Sequence, residues 1–245
     1  MALIQRIPFF LSLLATMLFS QCKNEQTPVR VNNNSNNNSG GSANDTARTY
    51  LALGDSYTIG QSVGITERFP AQTNTLLKST GIKMAEPRYI ATTGWRTDDL
   101  AAAINSQNPQ GPFDVVSLLI GVNDQYQLRD TNGYRERFRQ LLLKSISLAG
   151  NKRNHVFVLS IPDYSVTPFA ASSDTAFIRI QIDQFNAINR QVTTMESCNY
   201  LDITASTREA AYDLSLLASD RLHPSGKEYG KWAGWLAPMM SSVLR

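Results

Sequence analysis

The chain has 245 residues, carries 23 basic and 20 acidic side chains for a net charge of +3, and holds two cysteines and two histidines. A charge this balanced, with no run of Lys and Arg, leaves no electrostatic footprint for nucleic acid. Two cysteines make neither a disulfide framework nor a four-sulfur zinc site, and two histidines make no histidine-rich metal centre. The first element is an apolar stretch from Ile7 to Phe19 behind a lone positive charge at Arg6. At about 13 residues it is too short to span a bilayer but right for the apolar region of a signal peptide. The polar, Asn-, Ser- and Gly-rich segment that follows, including VNNNSNNNSGGS, buries too little apolar surface to offset its chain entropy. A core helix attached ahead of it would be isolated, so export is expected, with a signal peptide over 1–21.

Cys22 closes the apolar segment at the position where bacterial lipoproteins are acylated. Gln21 stands where that signal normally has a small residue. Ordinary cleavage after Cys22, with Ser20 and Cys22 as the small recognition residues, is the competing reading and would give a soluble secreted protein. The lipid anchor at Cys22 is favoured, because residues 22–47 supply the flexible tether that an anchored domain needs, with a reach of roughly 25–30 Å. The anchor would be the only membrane contact of a cell-envelope or surface lipoprotein, expected to be monomeric.

One folded domain is expected over 48–245. TYLAL (49–53) reads as a strand running into the turn GDSYT. A helix follows over 69–79 with Pro70 in its first turn, and PRYIAT (87–92) is the second strand. The next helix starts at Thr97 as N-cap, with Asp98 and Asp99 favourable at its positive end. FDVVSLLIG (113–121) is apolar without alternation, the mark of a strand covered on both faces. An amphipathic helix to about Ala149, the strand HVFVLSI (155–161), a helix over 174–195, the strand NYLDI (199–203) and a closing helix over 225–243 complete the chain. Five strands alternating with helices predict a parallel sheet with helices on both faces. In such sheets the reactive site lies off the carboxyl ends of the strands.

Chemistry-bearing residues fall at those ends: Ser56 after the first strand, Gly94 after the second, Asn123 after the third, and Asp220 with His223 before the last helix. Each is weak alone. Together they make a workable set, because a serine hydroxyl becomes nucleophilic only when an imidazole takes its proton. The imidazole in turn needs a carboxylate to fix its tautomer and direction. Asp220 lies three residues before His223, so one helical turn or a tight loop brings them to one face. The backbone N–H groups of Ser56 and Gly94 and the amide of Asn123 are candidate donors to an oxyanion. At Gly94 the missing side chain would permit close approach.

The blocks GDSY (54–57), Gly94, GVND (121–124) and DRLH (220–223) resemble, in order, those of the SGNH (GDSL) hydrolase family of esterases and lipases. The resemblance spans the whole domain. It implies a flavodoxin-like three-layer α/β/α sandwich with a five-stranded parallel sheet in the order 2-1-3-4-5. It also implies Ser56 as nucleophile, His223 as base, Asp220 as acid, and an oxyanion hole from Ser56, Gly94 and Asn123. Tyr57 departs from the usual leucine after the nucleophile, which bears on pocket shape.

The remaining candidates are read more plainly. His155 is structural, Asp55 shapes the turn at Ser56, Asp124 fixes the Asn123 loop through backbone hydrogen bonds, and Cys198 is a buried small hydrophobe. Trp95 and Arg96 follow the oxyanion glycine. They read first as a ring packed over the loop and a guanidinium on nearby carbonyls, and second as substrate contacts. Tyr57, Gln125 and Tyr126 would add an aromatic wall, and Pro162, Asp163 and Tyr164 would line the same rim. The expected activity is an exported serine esterase needing no metal or organic cofactor. Its substrate is an ester of a small acyl group such as an acetylated glycan. Lipase, lysophospholipase or thioesterase action on longer chains is the alternative among enzymes. An inactive surface glycan-binding lipoprotein is the alternative outside them. An imidazole base of ordinary pKa, ~6.5, implies loss of activity at mildly acidic pH.

Overall fold

The structure, a computed structural model, describes residues 46–127 and 130–245. The expected signal peptide, Cys22 and most of the tether lie outside the described residues. Five strands form one sheet: β1 (Tyr50–Gly54), β2 (Arg88–Ala91), β3 (Val115–Leu119), β4 (Val156–Leu159) and β5 (Asn199–Leu201). All neighbours pair in parallel, in the order β2-β1-β3-β4-β5. Every residue of β1, β3 and β4 is buried, as their unbroken apolar runs require of strands covered on both faces.

The helices between them are α1 (Ser56–Ile59), α2 (Phe69–Ser79), α3 (Thr97–Gln107), α4 (Val122–Tyr126), α5 (Thr131–Leu148), α6 (Thr175–Met195), α7 (Thr204–Thr207) and α8 (Gly226–Leu244). The chain leaves β1 towards β2, then returns past β1 to β3, β4 and β5. Right-handed crossovers in these two directions put the connecting helices on opposite faces. Helix α2 accordingly packs against α8, where Phe69, Tyr229 and Trp232 are fully buried and in ring contact. Helices α3, α5 and α6 form the other layer, with Tyr134, Phe138 and Phe185 at its centre.

Several local readings change. The GDSYT turn is a short helix, α1. The segment up to Ala149 is two helices, α4 and α5, the second capped by Asp130, whose carboxylate accepts the Gly133 N–H. Thr97 is not an N-cap: Arg96 holds that position, and Asp99 Oδ2 accepts the Arg96 backbone N–H at 3.0 Å. Thr97 is instead tied by its N–H and hydroxyl to Asp124, at 2.9 and 2.8 Å. Asp124 thereby pins the start of α3 to α4, and it takes Arg137 as a further partner at 3.4 Å.

The order of the strands reverses at β1, between β2 and β3. The carboxyl ends of β1 and β3 thus open onto the switch point, where open α/β sheets bind their ligands.

Candidate active site

Strand β1 runs out at Gly54, where a Cβ would collide with the Thr58 side chain and the Leu119 carbonyl. Glycine lets Thr58 of α1 and the end of β3 both close on this position. Asp55 caps that helix, its Oδ1 accepting the Tyr57 N–H at 3.0 Å, so Ser56 stands in the first turn. N–H groups there have no partner within the helix. Asp55 is wholly buried, and burial pushes its carboxyl up to about 8 against the lowering effect of the Tyr57 bond. Its second oxygen, Oδ2, has no hydrogen-bond partner among the described residues.

The loop before α8 brings Asp220 and His223 together as the tight loop rather than as a helical turn. Arg221 takes a left-handed backbone conformation (φ 59°), and the Ala218 N–H bonds the His223 carbonyl at 2.8 Å. The reversal sets His223 Nδ1 2.7 Å from Asp220 Oδ2. Asp220 Oδ1 accepts the backbone N–H groups of Leu222 and His223 at 3.0 and 2.9 Å, and Oδ2 also accepts the Ser62 hydroxyl at 2.7 Å. Partial burial acts to raise the Asp220 carboxyl. The hydrogen bonds from Ser62 and from the Leu222–His223 segment outweigh it and bring the group to about 2. The Tyr57 ring lies against the His223 ring, 4.9 Å between centroids at 52°.

Ser56 and His223 share one cleft with Gly94 and Asn123. Gly94 has φ 83°, and a Cβ there would meet nothing within 4 Å, so backbone conformation rather than crowding is what favours glycine. Asn123 Nδ2 donates one hydrogen to the Trp95 carbonyl at 2.9 Å. An amide nitrogen carries two hydrogens, so the bond orients the amide, ties α4 to the Gly94 loop and leaves one donor for the cleft. The empty volume is about 480 Å³, counting the solvent at its mouth.

One wall is aromatic. Tyr126, Tyr164 and Phe169 are in mutual ring contact at 6.1–6.4 Å, with Tyr126 and Phe169 about half exposed. Tyr57, Tyr164 and Leu222 face the cleft on one side and a narrower void on the other, which Pro162 and Asp163 also line.

Of the residues singled out in the sequence, Ser56, Tyr57, Gly94, Asn123, Tyr126, Tyr164 and His223 line the cleft, and Asp220 bonds His223 from outside it. Trp95 and Arg96 do not line it. The Trp95 ring packs on the core, and Arg96 is held by Asp99 at 3.1 Å and Gln127 at 3.0 Å rather than by backbone carbonyls. His155 is structural, its Nδ1 2.6 Å from the Asp114 carbonyl oxygen. Cys198 is half-buried, and burial pushes its thiol up to about 11, away from nucleophilic use. Sequence reasoning missed Ser62, Phe169 and Leu222. Phe169 follows β4 at the same end of the sheet, a placement that could have flagged it, whereas nothing in the pattern around Ser62 marks it.

A model of the GDSL-like lipase/acylhydrolase family matches residues 52–231. Among solved structures, TesA is similar with a TM-score of 0.64 at 13% identity, over 80% of this chain and 99% of that one. Axe2, an acetylxylan esterase from Geobacillus stearothermophilus, is similar with a TM-score of 0.58 at 21% identity, over 79% and 94%. A lipase/acylhydrolase from Enterococcus faecalis is similar with a TM-score of 0.57 at 17% identity, over 80% and 96%. No curated protein matches the sequence.

Proposed function

The chain belongs to the GDSL-like lipase/acylhydrolase family, and from that premise we propose that it is a serine esterase working through an acyl-enzyme on Ser56. The observation that carries this reading is the 2.7 Å contact of His223 Nδ1 with Asp220 Oδ2, beside a cleft that holds Ser56, Gly94 and Asn123 together. Ser56 Oγ attacks the ester carbonyl carbon while His223 Nε2 takes the hydroxyl proton. The carbon–oxygen bond to the alcohol breaks, and the same proton passes from His223 to the leaving oxygen. Water then attacks the acyl-enzyme and yields a proton to His223, which returns it to Ser56 Oγ as the acid departs. Asp220 stays ionised and holds the ring. The N–H groups of Ser56 and Gly94 and the remaining amide hydrogen of Asn123 receive the oxyanion, each such donor being worth ~2.7–4 kcal/mol in the transition state.

The acyl group is small, acetate being the type. Tyr57, Tyr164 and Leu222 stand between the cleft and the void behind it, and this supports the reading. The alcohol is a sugar hydroxyl, because the half-exposed Tyr126 and Phe169 rings offer a face suited to a pyranose at the mouth. Longer acyl chains are the second reading, favoured by that same void should Tyr57 and Leu222 swing aside. Hydrolysis of p-nitrophenyl acetate, butyrate and octanoate, wild type beside Ser56→Ala, decides. Acetate preference lost in the variant is expected; a preference for octanoate sinks the small-acyl reading. Failure of Ser56 to label with a fluorophosphonate sinks the esterase.

The enzyme is exported and tethered to the cell envelope by a lipid on Cys22, a reading supported by the apolar segment and the Asn-rich stretch of the sequence. Labelled palmitate is expected in the wild-type protein and not in Cys22→Ala. Equal labelling of both would exclude the anchor.

A further inference from the structure

We propose that Ser62 is a positioning residue for the Asp220–His223 pair, its hydroxyl locking the carboxylate that holds the imidazole. The inference rests on the esterase reading above. Among the described residues, Asp220 receives four hydrogen bonds, and three come from its own loop: the N–H groups of Leu222 and His223 on Oδ1 and the His223 ring on Oδ2. The fourth, the Ser62 hydroxyl on Oδ2 at 2.7 Å, arrives from 158 residues away in sequence. Ser62 lies just past α1, in a loop tied to the nucleophile's own turn: the N–H groups of Gly60 and Gln61 bond the Ser56 carbonyl. One hydroxyl thus joins the segment carrying Ser56 to the carboxylate behind His223.

The backbone supports a selected role. Ser62 has φ 66°, a left-handed conformation that costs a serine and not a glycine. Two residues earlier, where φ is 68°, the chain uses Gly60. A serine kept in a strained conformation, with its hydroxyl on an ionised partner, is the pattern in which strain is tolerated for what the side chain does.

With two donors on each oxygen the carboxylate cannot turn, and its charge is shared between the imidazole and the hydroxyl. Removing the hydroxyl frees Oδ2 to swing, and leaves more charge on it to hold a protonated ring. Chemistry slows, and the acid limb of kcat/KM moves to higher pH. The other titratable groups facing this pair are Tyr57 of α1 and Tyr229 of α8, which act electrostatically on Asp220, and Tyr164 after β4, which lines the cleft with His223. None of them donates a hydrogen bond to Asp220 among the described residues.

Ser62→Gly separates the roles, because it removes the hydroxyl and relieves the backbone at once. A hydrogen bond to an ionised group is worth about tenfold or more. The expected result is a roughly tenfold fall in kcat, KM within about twofold, an acid limb moved to higher pH, and a melting temperature within about 5 °C of wild type, the lost bond being partly offset by the relieved backbone. Wild-type kcat with an unmoved acid limb overturns the proposal, and so does a fall in kcat that comes with an unmoved acid limb and a melting temperature lower by more than about 5 °C. A second readout is independent of turnover: the downfield proton resonance of the His223 Nδ1–H in the full chain is expected to shift in Ser62→Gly. An unchanged resonance overturns the proposal. A wild-type protein that hydrolyses no ester refutes the esterase reading, while the resonance still decides the role of Ser62.

Discussion

Asp55 and Asp220 serve the same cleft from two differently built regions, the turn at the end of β1 and the loop ahead of α8. Asp55 is wholly enclosed, accepts the Tyr57 N–H and leaves Oδ2 without a partner among the described residues, and burial carries it up to about 8. Asp220 is only partly enclosed; burial still acts to raise it, but four hydrogen bonds bring it to about 2. Burial thus favours the protonated form of the carboxyl next to Ser56 in sequence, while hydrogen bonds favour the charged form of the one 164 positions away. Adjacency to the nucleophile therefore says little about which acid does electrostatic work. The balance of burial against the donors aimed at each oxygen decides it.

One substitution made at both sites breaks the comparison open. Asp220→Asn removes charge where the mechanism uses it and offers His223 the wrong partner for its tautomer. In triads of this kind that costs on the order of 10⁴ in kcat. The loop should still close, because an asparagine oxygen can accept the Leu222 and His223 N–H groups. Single-turnover hydrolysis of p-nitrophenyl acetate measures the loss, and a fall of less than tenfold would show that Asp220 is not the acid. Stability gives the second reading. A carboxyl lowered to about 2 in the fold stabilises it above pH ~4 and loses that contribution as the pH falls towards 2. The Asn variant should lack that part of the acid unfolding.

The same contrast explains what the sequence made legible. Ser56, Gly94, Asn123, Asp220 and His223 stand at strand ends or beside a helix start, where type and spacing both carry information, and the structure gathers Ser56, Gly94, Asn123 and His223 into one cleft, with Asp220 bonded to His223 from outside it. The alternation of apolar runs was enough for the parallel sheet, because β1, β3 and β4 are covered on both faces. What escaped depends on side-chain direction in loops. Trp95 and Arg96 adjoin Gly94 in sequence yet turn to the core and to Asp99. Thr97 looked like a cap because Thr commonly caps, but Asp124, 27 residues on, claimed its hydroxyl. Ser62 and Phe169 sit in segments without periodicity, so no pattern announced that one would reach Asp220 and the other join Tyr126 and Tyr164.

The smaller effect belongs to Asp55→Asn, and it sharpens the comparison from the other side. With a folded-state value of about 8 against ~3.9 in the unfolded chain, the carboxyl is protonated in both states below pH ~4. Between about pH 4 and 8 the unfolded chain gives up this proton while the folded protein keeps it. Stability therefore falls as the pH rises through that window, by up to ~1.4 kcal/mol per pH unit from this group. An asparagine keeps an oxygen for the Tyr57 N–H and carries no charge in either state, so the slope disappears. Melting temperatures at pH 5 and pH 8 should differ less in Asp55→Asn than in wild type, the variant gaining most at pH 8. kcat should change far less than in Asp220→Asn, since no charge is removed from the working protein at neutral pH. Parallel melting curves for the two proteins across that range would mean that Asp55 is ionised in the fold. The buried turn and the hydrogen-bonded loop would then not differ in the way their surroundings require.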